Sequence, residues 1–426
     1  MTHQHRTLTS PIQFFCRTLL LACLSLFVSC SFQRLQPVST NPPPVHTKQF
    51  ATELATVGKA PWTQGNHIEA LHNGDEFFPV MLEAVKNAQH SITFESFVSR
   101  RSWPVYQFSE AFYEAAQRGV KVHLILDSFG SRHWGDTYLA DMRKTGIEIE
   151  WYSPFTLLRP MRYNHRTHRR VLVVDGKIGY TGGAGWTDRW SGHAQSPDNW
   201  RDVQLELRGP VVAQLQDNFN NNWEELTGTQ LEGPRYFPPQ KAQGNLTAQM
   251  ILGSPEKQED TIGSTNLLAI RSAKKSIYLA HSYFLPNKII TKALYDALDR
   301  GVHIEIIVPG KHTDMPIARL VTIGALRKLH QKGAHIYEYQ PTMMHAKLLV
   351  IDEHLTIAGS GNIDQRSFFI NDENNLHVLD SSFAKKQIAT FRTDRKHCTL
   401  LTDKDLRLKI SQLPAAGVGK IFESQL

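Results

Sequence analysis

Short apolar runs alternate along this chain with amphipathic stretches that end in glycine. Phe112–Arg118 runs to Gly119 and then into Val120-Lys121-Val122; Leu294–Arg300 runs to Gly301 and then into Val302-His303-Ile304. Each reads as a helix closed by a glycine C-cap and followed by a buried strand. A second such unit follows in each case, Arg143–Ile149 around Gly146 and His330–Ile336 around Gly333. Upstream, Ala84–Ala88 leads into the strand-like Ser91–Glu95, as Ile270–Lys275 leads into Ser276–Leu279. Downstream, Val203–Leu207 precedes a helix over Pro210–Leu226, and Leu376–Leu379 precedes one over Phe383–Phe391. The chain is therefore an internal duplication. Alternating helix and strand predict an α/β fold, two fused domains each built on a central, mostly parallel sheet flanked by helices. The Pro/Gly-containing stretch near 228–247 sets the expected boundary, giving domains over 51–240 and 241–426.

The first 30 residues follow another pattern. Arg6 and Arg17 precede an apolar stretch, Leu19–Val28, too short for a membrane span of about 20 residues and suited to a signal-peptide core. Ser29-Cys30 resembles a bacterial lipoprotein cleavage site, with Cys30 as the lipidated residue, although Phe27 stands where leucine is usual. An uncleaved anchor, an ordinary cleaved signal and no export are the alternatives. Residues 31–50, with Pro37 and Pro42–Pro44, read as a Pro-rich tether. The expectation is an exported, membrane-anchored protein of the bacterial cell envelope.

Composition narrows the picture only slightly. A net charge of +7 over 426 residues suits phosphate-bearing partners and selects neither lipid nor nucleic acid. Of the four cysteines, Cys16, Cys23 and Cys30 fall in the leader and Cys398 alone in the body, which excludes a disulfide framework there.

The chemistry lies at matching places in the two halves. Half two carries His345, Lys347 and Asp352 along Met344–Asp352; half one carries His168, Arg170 and Asp175 along His168–Asp175. In a strand, positions i and i+2 share a face, so each histidine projects beside its cation. Such a pair suits phosphate: the cation holds an oxygen while the imidazole reaches phosphorus. Asp352 and Asp175 sit an odd number of positions away and read as fixing the turn after the strand. Small residues follow, Gly359-Ser360-Gly361-Asn362 and Gly182-Gly183-Ala184-Gly185, where backbone can approach a ligand. Further on, Asp372-Glu373 and Trp200-Arg201-Asp202 bring a carboxylate near the next strand, able to fix an imidazole tautomer.

This constellation, His-x-Lys-x-x-x-x-Asp with a Gly-Ser/Gly-x-Asn turn and a later Asn-x-Glu, resembles the phospholipase D superfamily, and most nearly its bacterial cardiolipin synthase-like branch. The resemblance covers about residues 65–410. It implies that both histidines meet at one site across a pseudo-twofold axis, with His168 as nucleophile and His345 as general acid/base. It implies a catalytic set of His168, His345, Lys347, Arg170, Asp175, Asp352 and Glu373, with Ser360 and Asn362 on phosphate oxygens. Glu373 matches the imidazole-orienting carboxylate, and Asp202 is a candidate for that role in half one or for substrate binding. Half one departs twice: Arg170 replaces lysine and Gly185 replaces asparagine. The implied reaction is phosphatidyl transfer between phospholipids, phosphatidylglycerol being the expected substrate. Hydrolysis to phosphatidic acid is the alternative; a nuclease, which the export signal disfavours, and a non-catalytic lipid-binding protein, which the presence of His168, His345, Lys347 and Glu373 disfavours, are further rivals.

No cofactor is expected, and no nucleic-acid partner. His165 and His168 have a zinc-like spacing, but Arg166, Arg169 and Arg170 repel a cation. The basic run Arg159–Arg170 reads either as a solvated loop or as a phosphate funnel. Trp186, Trp190 and Trp200 read as core or cleft wall. Half one also has an added stretch, Phe155–Tyr163, with Leu157, Leu158, Pro160 and Met161 between arginines. It is expected to lie beside the cleft, to shield it from water and to guide a second anionic lipid through Arg159 and Arg162.

Overall fold

The computed structural model describes residues 35–132, 134, 136–254, 260–408 and 412–421. The leader, including Cys30, lies outside the described residues. The chain divides into two units, residues 1–35 and 36–426, and the architecture below is that of the second.

Half one contributes strands β1 (Thr63–His72), β2 (Ser91–Ser96), β3 (Lys121–Asp127), β4 (Glu148–Tyr152), β5 (Arg170–Val174), β6 (Ile178–Gly182) and β7 (Val203–Arg208). Half two contributes β8 (Leu246–Gly253), β9 (Ser276–His281), β10 (His303–Pro309), β11 (His335–Tyr339), β12 (Lys347–Ile351), β13 (Leu355–Gly359), β14 (Glu373–Leu379) and β15 (Cys398–Leu400). All join one sheet in the order β15-β11-β10-β9-β12-β13-β14-β8-β1-β7-β6-β5-β2-β3-β4. Apart from β15, the order reads the same outward from the β8–β1 seam in both directions. That palindrome is what a duplicated unit related by a twofold requires. The seam is antiparallel, with Thr63 opposite Ala248 and Asn66 opposite Leu246.

The sheet is mixed, not mostly parallel. Only the outer trios β2-β3-β4 and β9-β10-β11 run parallel. Helical crossovers connect them, such as α3 (Trp103–Gln117) and α4 (Asp136–Lys144). The inner strands are antiparallel because tight turns at Asp175-Gly176-Lys177 and Asp352-Glu353-His354 join β5 to β6 and β12 to β13. A link that short can return the chain only antiparallel.

Both faces of the sheet are covered: every residue of β2, β9 and β12 is buried, the polar Ser91, Thr93, Glu95 and Ser96 of β2 included. On one face, Phe77, Phe78 and Met81 of α2 (Asn73–Lys86) pack with Phe108 and Phe112 of α3 and with Trp186. On the other, Val211, Leu215, Phe219 and Trp223 of α5 (Val211–Thr227) pack in one cluster with Met250, Leu376 and Val378 of half two. The halves thus share a core as well as a seam. Each such side chain contributes roughly 1.5–3 kcal/mol on burial.

The Pro-rich segment before α1 (Lys48–Gly58) is not free of the body. Gln36 donates its N–H to Ser264 Oγ at 2.9 Å, and Arg271 donates to the carbonyls of Val38 and Ser39, both partners lying on α6 (Thr261–Ser272).

Asp175 and Asp352 leave the catalytic set. Each sits at positive φ, 55° and 52°, at the far end of its strand. Asp352 accepts from the N–H groups of Lys274, Lys275 and Ser276 at 2.7–2.9 Å. Asp175 accepts likewise from Gln89, His90 and Ser91. Each carboxylate ties the catalytic strand's exit to the start of its neighbour strand. Asp352→Ala should therefore lower unfolding stability by about 2 kcal/mol, read as a fall in the denaturation midpoint. Turnover per folded molecule well below that midpoint should stay near normal.

Candidate active site

His168 and His345 each enter just ahead of a buried strand, and backbone bonds from the opposite half fix where each begins. His168 N donates to Asp372 O at 2.8 Å, and Asp372 N donates to Arg166 O at 2.9 Å. The mirror pair is His345 N to Arg201 O at 2.7 Å and Arg201 N to Met343 O at 2.9 Å. Asp372 and Arg201 immediately precede the two acids. The acids consequently cross over: Glu373 Oε1 and Oε2 lie 2.8 and 2.9 Å from His168 Nδ1, and Asp202 Oδ2 lies 2.7 Å from His345 Nδ1. Asp202 is thus a partner of the half-two imidazole, neither a substrate ligand nor an orienter within its own half. With Nδ1 occupied by a carboxylate, each ring presents Nε2 as its reactive nitrogen.

The acids are themselves held. Glu373 accepts from Ser360 Oγ at 2.5 Å and Ser367 Oγ at 2.8 Å. Ser360 also accepts from Asn374 N at 3.0 Å and is fully buried. This corrects its expected role: its hydroxyl faces Glu373, because the glycine turn folds back on β14. Asn362 does line the cleft, and its Oδ1 accepts from Ser282 Oγ at 2.8 Å. In half one, Trp190 Nε1 donates to Asp202 Oδ2 at 2.8 Å. A Cβ on Gly183 would lie 2.3 Å from Asp202 Oδ1, and one on Gly185 would lie 2.9 Å from the Trp190 ring. The departure from asparagine at Gly185 therefore makes room for the indole that supplies a donor to Asp202.

The cations differ in the same correlated way. Lys347 Nζ donates to Ser282 Oγ at 2.8 Å and to His345 O at 2.7 Å, and lies 3.1 and 3.3 Å from the two ring nitrogens of His345. Arg170 donates to His168 O, and its guanidinium lies 5.8 Å from the centre of the Phe97 ring. Phe97 directly follows β2, as Ser282 directly follows β9. Where half two offers a hydroxyl to an ammonium, half one offers a ring to a planar guanidinium.

Burial dominates the electrostatics. It pushes the His345 imidazole down to about 4, with Lys347 adding to the effect and Asp202 opposing it. His168 lies well below the ordinary histidine value, first through burial and then through Arg170 and Lys347. Burial also brings the Lys347 ammonium down to about 7. It raises the Glu373 carboxyl despite Ser360 and Arg170. Asp202 is the exception: burial pushes it up, but His345 and Lys347 more than offset that and its carboxyl is lowered.

His168, His345, Arg170 and Asn362 share the wall of one cleft of about 530 Å³ with Phe97, Trp190, Trp200 and Tyr283. Trp200 stacks on His345 at 5.1 Å and 29°, while Trp186 belongs to the core. The basic run is not a funnel. Arg166, Arg169 and Arg170 are buried; Arg166 reaches Asp127 and Ser153, and Arg169 reaches Asp372 and the Asn218 carbonyl. The Phe155–Tyr163 stretch does not line the cleft. Leu157 and Leu158 are 88% and 95% exposed, and Arg162 is paired with Glu225. Its link to the cleft is indirect, through Tyr163 against Phe129 at 6.4 Å. The shielding and guiding expected of it find no support in that placement.

The sequence reading missed Ser367, Ser282 and Phe97, and it missed the bond from Trp190 to Asp202. A signal existed for each. Ser367 lies seven positions after Ser360 as Trp190 lies seven after Gly183, and Ser282 matches Phe97 just after the second strand of each half.

Two imidazoles, each oriented by an acid from the opposite half of a duplicated α/β unit, define a phospholipase D-type active site. Comparison with known proteins agrees. The family model described as "Cardiolipin synthase, PLD-like domain" matches residues 81–223 and 267–395. The chain is 31% identical over 376 residues to a cardiolipin synthase of Geobacillus sp. (strain WCH70), covering 88% of this chain and 75% of that one. It is 30% identical to the cardiolipin synthase of Geobacillus kaustophilus, with the same coverage. Among solved structures, a phosphatidylserine synthase of Haemophilus influenzae superposes with a TM-score of 0.66 at 13% identity, over 88% of this chain and all of the other. That likeness shows the fold alone. The chain belongs to the cardiolipin synthase, phospholipase D-like family, and it is an enzyme of the phospholipase D superfamily.

Lys347 generates a pH prediction. With a value of about 7, the ammonium loses its charge as pH rises through neutrality. kcat/KM should fall on the alkaline side with a limb near that value. Lys347→Arg keeps its charge, and the limb should move upward by more than about one pH unit even where the maximal rate is lower. An unchanged limb in the pH–rate profile would assign it to another group.

Proposed function

We propose that this protein transfers a phosphatidyl group from one phosphatidylglycerol to another through a phosphohistidine, making cardiolipin and free glycerol. The observation that carries this reading is the crossed pair of carboxylate-held imidazoles facing one cation-walled cleft. The names of the relatives that match most of the chain point the same way.

The two imidazoles are not equivalent, and their acids suggest the division of labour. Asp202 is held ionised beside His345 and opposes the burial that pushes that imidazole down to about 4, so it stabilises the ring each time the ring holds the proton it gives and regains. Burial and then Arg170 hold His168 well below the ordinary histidine value, so its ring is neutral and free to attack. His168 Nε2 attacks phosphorus; the phosphorus–oxygen bond to the headgroup breaks, and glycerol leaves with a proton from His345. The neutral His345 then removes the proton from the acceptor's hydroxyl. That oxygen attacks phosphorus, the phosphorus–nitrogen bond breaks, and His168 is restored. Arg170 and Lys347 balance the charge that builds on the phosphoryl oxygens, and Asn362 faces the same space. No net proton or water is consumed. Hydrolysis differs only in the identity of the second attacker.

Purified protein given phosphatidylglycerol labelled in the headgroup should release labelled glycerol and form labelled cardiolipin in equal amounts. Phosphatidic acid as the sole lipid product, even at high lipid density, would replace the transferase by a hydrolase.

The proposal extends to location. A lipidated Cys30 would hold the body at the envelope membrane, a reading that rests on the apolar Leu19–Val28 run ahead of Ser29-Cys30. No helix among the described residues is long and apolar enough to cross a membrane. Cys30→Ser should move the protein from the membrane to the soluble fraction or block its processing, with turnover in detergent unchanged. Mass spectrometry finding an N-terminus upstream of Cys30 would remove the lipoprotein assignment.

A further inference from the structure

The cleft holds more positive charge than a single phosphodiester needs. Arg170 lies at its base beside the histidines, but Arg100, Arg101 and Arg189 also line it and are exposed. Among the described residues no carboxylate pairs with any of these three. The other charged groups of the wall are engaged. Asp188 accepts from Trp103 N at 3.0 Å, Asp314 from Tyr283 Oη at 2.7 Å, and Asp364 from Ser367 N at 2.7 Å. Arg366 donates to Asn164.

Position adds to the argument. The Arg189 guanidinium lies 5.1 Å from the centre of the Trp200 ring, and Trp200 in turn stacks on His345 at 5.1 Å. A free cation therefore stands one indole away from the imidazole that would deprotonate the incoming alcohol. Arg100 and Arg101 follow Ser99, which bridges to Trp186 in the loop that leads to Arg189, so the three arginines come from neighbouring segments of half one.

We propose that Arg100, Arg101 and Arg189 form a second anion station, which binds the phosphate of the acceptor while its free hydroxyl reaches His345. The ligand class is an alcohol that itself carries a phosphodiester a few bonds from the hydroxyl, as the glycerol headgroup of an anionic lipid does. Guanidinium forks suit such a phosphate. The inference rests on the transferase reading and deepens it: a hydrolase has no use for a second phosphate site, whereas transfer between two anionic lipids brings two phosphates into one cleft. Trp200 gives the station an apolar floor that keeps the guanidinium of Arg189 aimed inward.

The test is a selectivity ratio in the full-length protein. Phosphatidylglycerol in mixed micelles serves as donor, and two acceptors compete: phosphatidylglycerol itself, yielding cardiolipin, and labelled free glycerol, yielding labelled phosphatidylglycerol by exchange. In the Arg100→Gln/Arg101→Gln/Arg189→Gln variant the ratio of cardiolipin formation to glycerol exchange should fall more than about tenfold. The loss should appear in the lipid-acceptor dependence. Arg189→Lys should recover part of it. A parallel fall of both reactions would place the arginines on the donor or in the fold and overturn the inference, as would an unchanged ratio. A wild-type protein that performs neither transfer yet releases phosphatidic acid overturns the parent reading, and the acceptor station with it. A wild type that makes both products, with a variant that keeps their ratio, sinks the station alone.

Discussion

The exchange of carboxylates between halves is the constraint from which the rest of the molecule follows. Each imidazole takes its acid from the other half, so neither half has a working histidine by itself. The bond is short and buried, 2.8 Å for His168–Glu373 and 2.7 Å for His345–Asp202, and such geometry tolerates little play between the halves. The crossed backbone bridges Thr167–Asp372 and Arg201–Met344 supply the register. The β1–β8 seam and the shared core around Phe219, Met250 and Leu376 supply the rigidity. Buried acids unpaired with the imidazoles would cost several kcal/mol, so a slip at the seam is opposed both by lost packing and by stranded charge.

Within that shared frame the halves have diverged in pairs of residues. Lysine goes with serine in half two, as Lys347 with Ser282; arginine goes with phenylalanine in half one, as Arg170 with Phe97. Ser360 and Ser367 donate to Glu373, whereas Gly183 leaves space at Asp202 and Trp190 donates in their stead. Seen one residue at a time, Arg170 and Gly185 look like damage to a motif. Each has a neighbour that makes the substitution work. The outcome is two histidines in the same geometry but beside acids of opposite tendency, Asp202 drawn towards its ionised form and Glu373 away from it. In the proposed two-step transfer one imidazole attacks as the neutral ring and the other passes a proton, and paired divergence leaves His345, the proposed proton carrier, beside the acid held in its ionised form.

Much of this was legible in the chain, and the limit has a physical origin. Apolar runs closed by glycine marked the strands and helices, since burial and C-caps are local properties. The i, i+2 spacing put His168 beside Arg170 and His345 beside Lys347 for the same reason. The odd spacing of Asp175 and Asp352 already argued for a structural role over the catalytic one carried by resemblance. What spacing cannot encode is which half an acid serves. Asp202 lies 34 positions after His168 but bonds the ring of His345, 143 positions away. Strand direction failed for a related reason: a helix-then-strand rhythm implies parallel pairing, whereas the short Asp-containing turns after β5 and β12 reverse the chain. Ser360 was misread because a glycine-rich turn near a phosphate site resembles a phosphate loop, and only the fold reveals that the hydroxyl turns back to Glu373.

The fate of the arginines separates charge as composition from charge as function. Arg166, Arg169 and Arg170 crowd the first motif in sequence, yet two of them are buried in the frame: Arg169 on Asp372, next to Glu373, and Arg166 on Asp127. Their charge is matched locally and holds the crossed acid in place. Beyond Arg170, the charge left for a ligand comes from arginines distant in sequence from the motif, Arg100 and Arg101 before α3 and Arg189 after the glycine turn. In the low-dielectric interior an unmatched cation is costly, so matched pairs accumulate there. Unmatched cations survive at the cleft mouth, where water pays part of the solvation and an incoming phosphate can supply the rest. The arginines most exposed and least bonded are consequently the ones whose charge, with that of Arg170 in the cleft wall, remains available to substrate, while Arg166 and Arg169 serve the scaffold that keeps two halves acting as one site.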